Sequence, residues 1–201
     1  MRIHRNIYYL ILLIILFSST SAIGQWKKKD VEWSPEGLTY KNYKLIHDSK
    51  KNADAKIGAV TGSKPAMDAS VVNIDEKRFL RITLSNHFDY DKSWMLKSEI
   101  NNSALLKHEQ GHFDINEIYT RKTFQQFKNF RFTENFKQEI YSIMQAENNE
   151  LIQMQQLYEK ETVYGTNAEG QAKWNTIIAD DLVSVPSYKG QVIEQQIPEK
   201  E

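Results

Sequence analysis

The chain has 201 residues, enough for one domain with a hydrophobic core and too few for two comfortable domains. Its 26 basic and 26 acidic residues balance, so no overall charge points to nucleic acid or an anionic membrane surface as a partner. The chain contains no cysteine, which excludes disulfides and thiolate chemistry. A metal site would therefore use histidine, carboxylate or, less often, tyrosine side chains.

Residues 1–24 have the order of segments that is typical of a secretory signal peptide. Two arginines precede an apolar run over residues 7–17, and small polar residues follow as far as Ala22. This run of about 11 residues is shorter than the roughly 20 that span a bilayer, which favours a cleaved signal over a retained anchor. We expect cleavage near Ala22 to Gly24 and a secreted or periplasmic product without a stable membrane anchor.

The first half of the remaining chain predicts β-structure. Residues 26–68 combine aromatic residues, lysines and glycines in a way that suggests short strands and loops. Residues 68–88 alternate between apolar and polar residues on either side of a turn at Asp75–Lys77. This alternation predicts a β-hairpin with one buried face.

After Trp94 the apolar period becomes helical. The spacing predicts a helix that begins with Asn102 or Ser103 as its N-cap and runs to about Phe127. A second long helix is predicted from Thr133 to a point before Gly165, and the two should form an antiparallel pair. A short helix is expected over residues 171–178, and residues 186–201 are expected to be an extended or loose tail.

The first of these helices carries the sequence His-Glu-Gln-Gly-His at residues 108–112. Residues four apart lie on the same helical face, so the imidazoles of His108 and His112 can reach one cation. Zinc prefers such ligands in a tetrahedral arrangement, and a catalytic site keeps one position for water. Glu109 lies beside the first ligand and is placed to act as a general base during hydrolysis of a peptide or amide.

The alternative interpretation is that these side chains decorate a half-exposed helix and pair with lysines. Export, the helical frame, the uncharged residues between Glu109 and His112 and the preceding hairpin together favour a metal site. Gly111 costs roughly 1 kcal/mol inside a helix, and a close packing contact is the expected compensation.

The third ligand is left open by the motif. Outside the signal peptide the remaining histidines are His47 and His87, and the other candidates are oxygen ligands. An apolar stripe along the second helix includes Glu147 and Glu161 but leaves out Glu159, and a carboxylate on a buried face needs a partner such as a cation. Tyr164 is a further candidate for a ligand or hydrogen-bond donor. Asp114 is interpreted as a solvated residue in preference to a support for a ligand.

Three blocks of the sequence resemble a bacterial family of predicted secreted zinc-dependent proteases within the zincin group. They are residues 38–43, residues 105–115, and residues 158–162 followed by Gly165, Gln171 and Trp174. The resemblance implies zinc ligands at His108 and His112, a base at Glu109, and Glu161 within the block that completes the site. In that family the residue before the glycine is usually histidine, whereas here it is Tyr164.

The sequence thus predicts an α+β, zincin-like domain over residues 25–185, with Zn²⁺ held by His108, His112 and Glu161. The predicted function is hydrolysis of peptide bonds in a peptide or protein substrate, with Glu109 as base. A non-catalytic zinc-binding protein and a cell-envelope interaction protein derived from the same scaffold are the alternatives.

Overall fold

The computed structural model describes residues 30–47 and 57–199; the predicted signal peptide lies outside these residues. They form an α+β structure with short strands, two long strands and three α-helices. The strands are β1 Val31–Glu32, β2 Lys44–Ile46, β3 Ala59–Val60, β4 Ser63–Ile74, β5 Lys77–Phe88, β6 Trp94–Leu96 and β7 Ile193–Gln196. The helices are α1 Ser103–Asn129, α2 Phe136–Thr162 and α3 Ala168–Ser184.

The strands form two small sheets. In the larger sheet β5 pairs along its whole length with β4. The other edge of β5 pairs with β1 near Phe88 and with β7 near Phe79. In the smaller sheet β6 lies between β2, which is parallel to it, and β3, which is antiparallel. The predicted hairpin is confirmed as β4 and β5. Its turn residues Asp75 and Glu76 adopt the left-handed conformation that two-residue hairpin turns require.

The three helices follow the predicted order. The side chain of Asn102 accepts a hydrogen bond from the Leu105 N–H, which confirms Asn102 as the N-cap of α1. Contacts pair His108 with Tyr158 and His112 with Gln155, so α1 and α2 run antiparallel, as expected. Among the described residues, no helix is both long and apolar enough to span a bilayer.

Packing divides the interior into apolar clusters. In one cluster the end of α1 and the start of α2 pack against β5 and against the chain after Pro186. The segment after Pro186 was predicted to be extended or loose. That segment forms β7 and buries Tyr188, Ile193 and Ile197 in this cluster. A second cluster lies where α3 packs against α1 and α2, beside the two histidines. The helices thus hold His108 and His112 between them.

Candidate metal centre

Helix α1 brings the two motif histidines together. Because they are four residues apart, their rings lie on the same face of the helix, and His108 Nε2 is 3.3 Å from His112 Nε2. His108 is buried, and the side chain of His112 is 14% exposed. The pair therefore points inward and is open to solvent only on the His112 side.

Helix α2 supplies a carboxylate to this pair. Glu159 Oε1 lies 3.2 Å from His112 Nε2, and Glu159 Oε2 lies 3.4 Å from His108 Nε2. Among the described residues, His108, His112 and Glu159 are the group of ligand side chains that could hold one metal ion.

The distances between these side chains suit a shared metal ion. Zinc bonds of about 2.0–2.1 Å place neighbouring ligands of a tetrahedron about 3.3 Å apart. The two Nε2 atoms are 3.3 Å apart, and the Glu159 carboxylate reaches each ring through a different oxygen, at 3.2 and 3.4 Å. In addition, Glu159 Oε2 and Glu109 Oε2 are buried without a hydrogen-bond partner. The residues present thus fit a divalent cation, and two histidines with one carboxylate form a donor set that zinc accepts.

His112 and Glu159 each favour the charged form of the other. Burial alone would lower the pKa of His112, but the hydrogen bond and charge of Glu159 raise it to about 8. Burial favours protonated Glu159, yet the close contacts with His108 and His112 and the charges of these rings lower its pKa to about 2. A positive charge is therefore favoured between these side chains at neutral pH, whether a proton or a metal supplies it.

Glu109 lies next to the ligand group without belonging to it. Its side chain is buried, and this burial raises the pKa of Glu109, while the charges of His112 and His108 and a hydrogen bond from Thr61 oppose the rise. The Thr61 hydroxyl is in turn 2.8 Å from the Tyr43 hydroxyl. One carboxylate oxygen of Glu109, Oε2, has no hydrogen-bond partner. A carboxylate whose pKa is raised is a stronger base than an ordinary one, and this free oxygen can accept a proton.

Gly111 has the close packing contact that its position predicted. A Cβ there would lie 2.2 Å from the Tyr158 hydroxyl oxygen. Because this space is open, the Tyr158 hydroxyl donates to the His108 carbonyl at 2.9 Å, and its ring stacks on the His108 ring. The glycine in the motif thus lets α2 approach α1 at the level of the ligands.

A second glycine packs against His108 from the loop between α2 and α3. A Cβ on Gly165 would lie 2.8 Å from His108 Cγ, and its φ of +77° lies in the left-handed region. Val163 and Tyr164 before it also have positive φ, which is uncommon and strained for a β-branched residue such as valine. This loop holds the backbone of Gly165 directly over the imidazole.

The structure does not bring Glu161 to the histidines. Two residues along a helix correspond to a rotation of about 200°, so Glu161 points away from Glu159 and toward α3. Its Oε2 accepts hydrogen bonds from Trp174 Nε1 and Lys173 Nζ, both at 2.9 Å. The expected third ligand Glu161 is therefore replaced in the ligand group by Glu159.

The other candidates for the third ligand also lie elsewhere. Glu147 is about 18 Å along α2 from Glu159, on a rise of 1.5 Å per residue. His47 contacts Lys97 Nζ, and His87 Nε2 contacts the Ser85 hydroxyl. Tyr164 is 62% exposed. None of these residues belongs to the ligand group found in the described part of the chain.

The interpretation of Asp114 as solvated is wrong. Its side chain is buried, and burial raises the pKa of Asp114 despite hydrogen bonds that oppose the rise. Trp33 Nε1 donates to its Oδ1 at 2.8 Å, and Gln110 Nε2 donates to the same oxygen at 2.7 Å. Gln110 Oε1 also accepts from the Leu38 N–H. Asp114 thus anchors the segment that contains Trp33 and Leu38 to the back of the motif helix.

Four residues of this centre were not predicted as site residues, although the last three lie in the blocks that resemble the protease family: Gln155, Tyr158, Glu159 and Gln171. Gln155 and Glu159 are four apart and lie on one flank of the apolar stripe of α2. The centre of that stripe packs against both α1 and α3, so it does not mark the side that faces His112. The feature of the sequence that could have indicated Glu159 is the spacing of Gln155 and Glu159, which form a second polar i, i+4 pair on the helix that packs against the motif helix.

Comparison of the chain with family models, with curated proteins and with solved structures gives no match.

Proposed function

We propose that this chain is an exported, zincin-like, zinc-dependent peptidase in which His108, His112 and Glu159 hold the metal. The observation that supports this most is the group of three ligand side chains, His108, His112 and Glu159, whose ligand atoms lie within 4.8 Å of one another beside the buried carboxylate of Glu109. Zinc held there would polarise the carbonyl of a peptide bond and make a water molecule more acidic. The resemblance to secreted zinc-dependent proteases supports the same activity.

Glu109 would move the proton. It follows His108 directly on α1 and lies close enough to His108, His112 and Glu159 to interact with their charges, without taking a ligand position. Because burial raises its pKa, Glu109 can accept a proton from attacking water and return it to the departing amine. The contact with Thr61 holds the carboxylate in place, and Oε2 remains free of hydrogen bonds.

The substrate would reach the site from the side where the centre is open. The side chain of Glu159 is 34% exposed and that of His112 is 14% exposed, whereas His108 and Glu109 are buried. We propose a peptide or protein substrate outside the cytoplasm. Cell-wall peptides belong to the same chemical class.

The test is hydrolysis of casein and of peptidoglycan by the zinc-loaded protein beside Glu109→Gln. Glu109→Gln keeps the shape of the side chain and removes its basicity, so we expect unchanged zinc content and a rate about 10²–10⁴ times lower. Glu150→Gln, which changes an exposed acid on α2, serves as the matched control and should keep full activity.

Two results would overturn the peptidase assignment. Equal hydrolysis by wild type and Glu109→Gln would remove Glu109 from the reaction. A zinc-loaded wild type that cleaves neither casein nor peptidoglycan would leave a non-catalytic zinc-binding protein.

A further inference from the structure

We propose that Gln155 and Gln171 are positioning residues that fix both histidines in the tautomer with the proton on Nδ1. In this form both Nε2 lone pairs point toward the metal. The inference rests on the proposed metal centre and concerns side chains outside the ligand group, one from α2 and one from α3.

Gln155 has its amide oriented by a second bond. Its Nε2 donates to the His112 carbonyl oxygen at 2.9 Å, which leaves its Oε1 facing His112 Nδ1 at 2.5 Å. An amide oxygen can only accept a hydrogen bond, so Nδ1 must carry the proton. In a neutral imidazole the other nitrogen, Nε2, then has a free lone pair.

Gln171 is oriented in the same manner on the other side of the centre. Its Nε2 donates to the Tyr158 hydroxyl at 2.9 Å and to Asn175 Oδ1 at 3.0 Å. Its Oε1 therefore faces His108 Nδ1, at 3.1 Å. The Tyr158 hydroxyl also donates to the His108 carbonyl, so one network fixes both the ring and the backbone of His108.

With both protons on Nδ1, the space between the ligands contains acceptors alone. The two Nε2 atoms are 3.3 Å apart and both lie near the Glu159 carboxylate. Neutral imidazoles in this tautomer cannot donate to each other or to Glu159 through Nε2. A cation bound between these acceptors would remove the electrostatic repulsion between their lone pairs.

Neutral amides also suit the charge of the centre. Glu109 and Glu159 already place two carboxylates beside the histidines. One divalent cation balances these two charges, whereas carboxylates in place of Gln155 and Gln171 would add two more buried negative charges. The glutamines orient the imidazoles without changing this balance.

The first test is nitrogen NMR of the purified metal-free protein at alkaline pH, where the imidazoles are neutral. Couplings between ring protons and nitrogens distinguish the two tautomers, and we expect His108 and His112 both in the Nδ1–H form. An Nε2–H tautomer at either histidine would overturn the inference. This measurement decides the question even if wild type binds no zinc, a result that would instead overturn the proposed function.

The second test is zinc affinity of Gln155→Leu, Gln155→Glu and the neighbouring Gln156→Leu. Loss of a hydrogen bond to a ligating histidine typically weakens metal binding about 10–100-fold, which we expect for Gln155→Leu. Gln155→Glu keeps an acceptor at Nδ1 and should bind zinc far more tightly than Gln155→Leu. Gln156 is exposed, so Gln156→Leu should match wild type. Equal affinities for Gln155→Leu and wild type would contradict the proposed role.

Discussion

Helices α1 and α2 pack against each other in two different ways along their length. At the end near their connection they meet through large apolar side chains, which also cover the larger sheet. At the other end, around His108, the same two helices meet through histidines, glutamines, a tyrosine hydroxyl and a carboxylate. The apolar end consists of Leu80, Ile82, Phe124, Phe127, Phe132, Phe136, Ile140, Tyr188, Ile193 and Ile197.

The two ends of this helical pair are stabilised by different interactions. The apolar end is stabilised by burial, at about 25 cal/mol per Å² removed from water. The polar end brings the rings of His108 and His112 within 3.3 Å of each other and buries one carboxylate oxygen without a partner on each of Glu109 and Glu159. Such a region gains stability when a cation binds.

Phe127→Ala tests whether the apolar end stabilises the fold without affecting metal binding at the polar end. Phe127 is fully buried, so its truncation should cost about 3–5 kcal/mol of unfolding free energy, through lost burial and a cavity. Zinc affinity of the folded variant should stay within about twofold of wild type, because distant sites behave additively. Chemical denaturation and zinc titration measure the two quantities. A large loss of zinc affinity would show that the two ends are coupled.

Zinc should stabilise the polar end specifically. A ligand at one hundred times its Kd adds about 2.7 kcal/mol to the stability of the state that binds it. We expect this gain in thermal or chemical unfolding of wild type, and slower hydrogen exchange around His108 with little change around Phe127. His112→Ala is the control, and it should show no zinc-dependent stabilisation.

The metal-free protein should lose stability as the pH rises through about 8. The pKa of His112 is raised from 6.5 to about 8 by Glu159, against the opposing effect of burial. Its charge faces Glu159 from α2 and Glu109 from its own helix. A raised pKa means that the stabilisation is fully present below pH 6.5, and a shift of this size corresponds to about 2 kcal/mol.

Denaturation of the metal-free protein at pH 6 and pH 9 measures this loss. Glu159→Gln removes the charged partner and should flatten the pH dependence. Saturating zinc should also prevent the loss at pH 9, because metal binding requires a neutral imidazole. A metal-free wild type that is equally stable at both pH values would contradict the ion pair.

Gly111→Ala should have the smallest effect of the four, about 1–2 kcal/mol of destabilisation. Alanine gains roughly 1 kcal/mol in helix propensity, but its Cβ displaces the Tyr158 hydroxyl and its bond to the His108 carbonyl. In Tyr158→Phe that hydroxyl is already absent, so the combined variant should lose less than the sum of the single changes. Strict additivity in denaturation experiments would exclude this contact as the cause.

Local signals in the sequence were sufficient to predict the elements that carry the centre. The period of the apolar residues located α1, α2 and the hairpin, and the Asn102 cap located the start of α1. The spacing of His108 and His112 predicted their shared helical face, because that spacing is a property of one helix. The α+β architecture follows from the same patterns.

The third member of the ligand group depends on how one helix is rotated against another, which the apolar stripe did not determine. Helix α2 packs against two neighbours, so the centre of its stripe lies between them, and Glu161 turns toward Trp174 on α3. Glu159, at the edge of the stripe, turns toward α1. For Asp114 the missing information was the position of Trp33, 81 residues away.

Zinc content of the purified protein, measured by elemental analysis after dialysis, tests the metal centre most directly. Wild type is compared with Glu159→Ala and Glu161→Ala, two changes of the same kind two residues apart, with folding checked by circular dichroism. We predict about one zinc ion per chain in wild type and in Glu161→Ala, and none in Glu159→Ala. Zinc retained by Glu159→Ala, or a folded wild type that binds none even after zinc is added, would contradict the assignment of His108, His112 and Glu159.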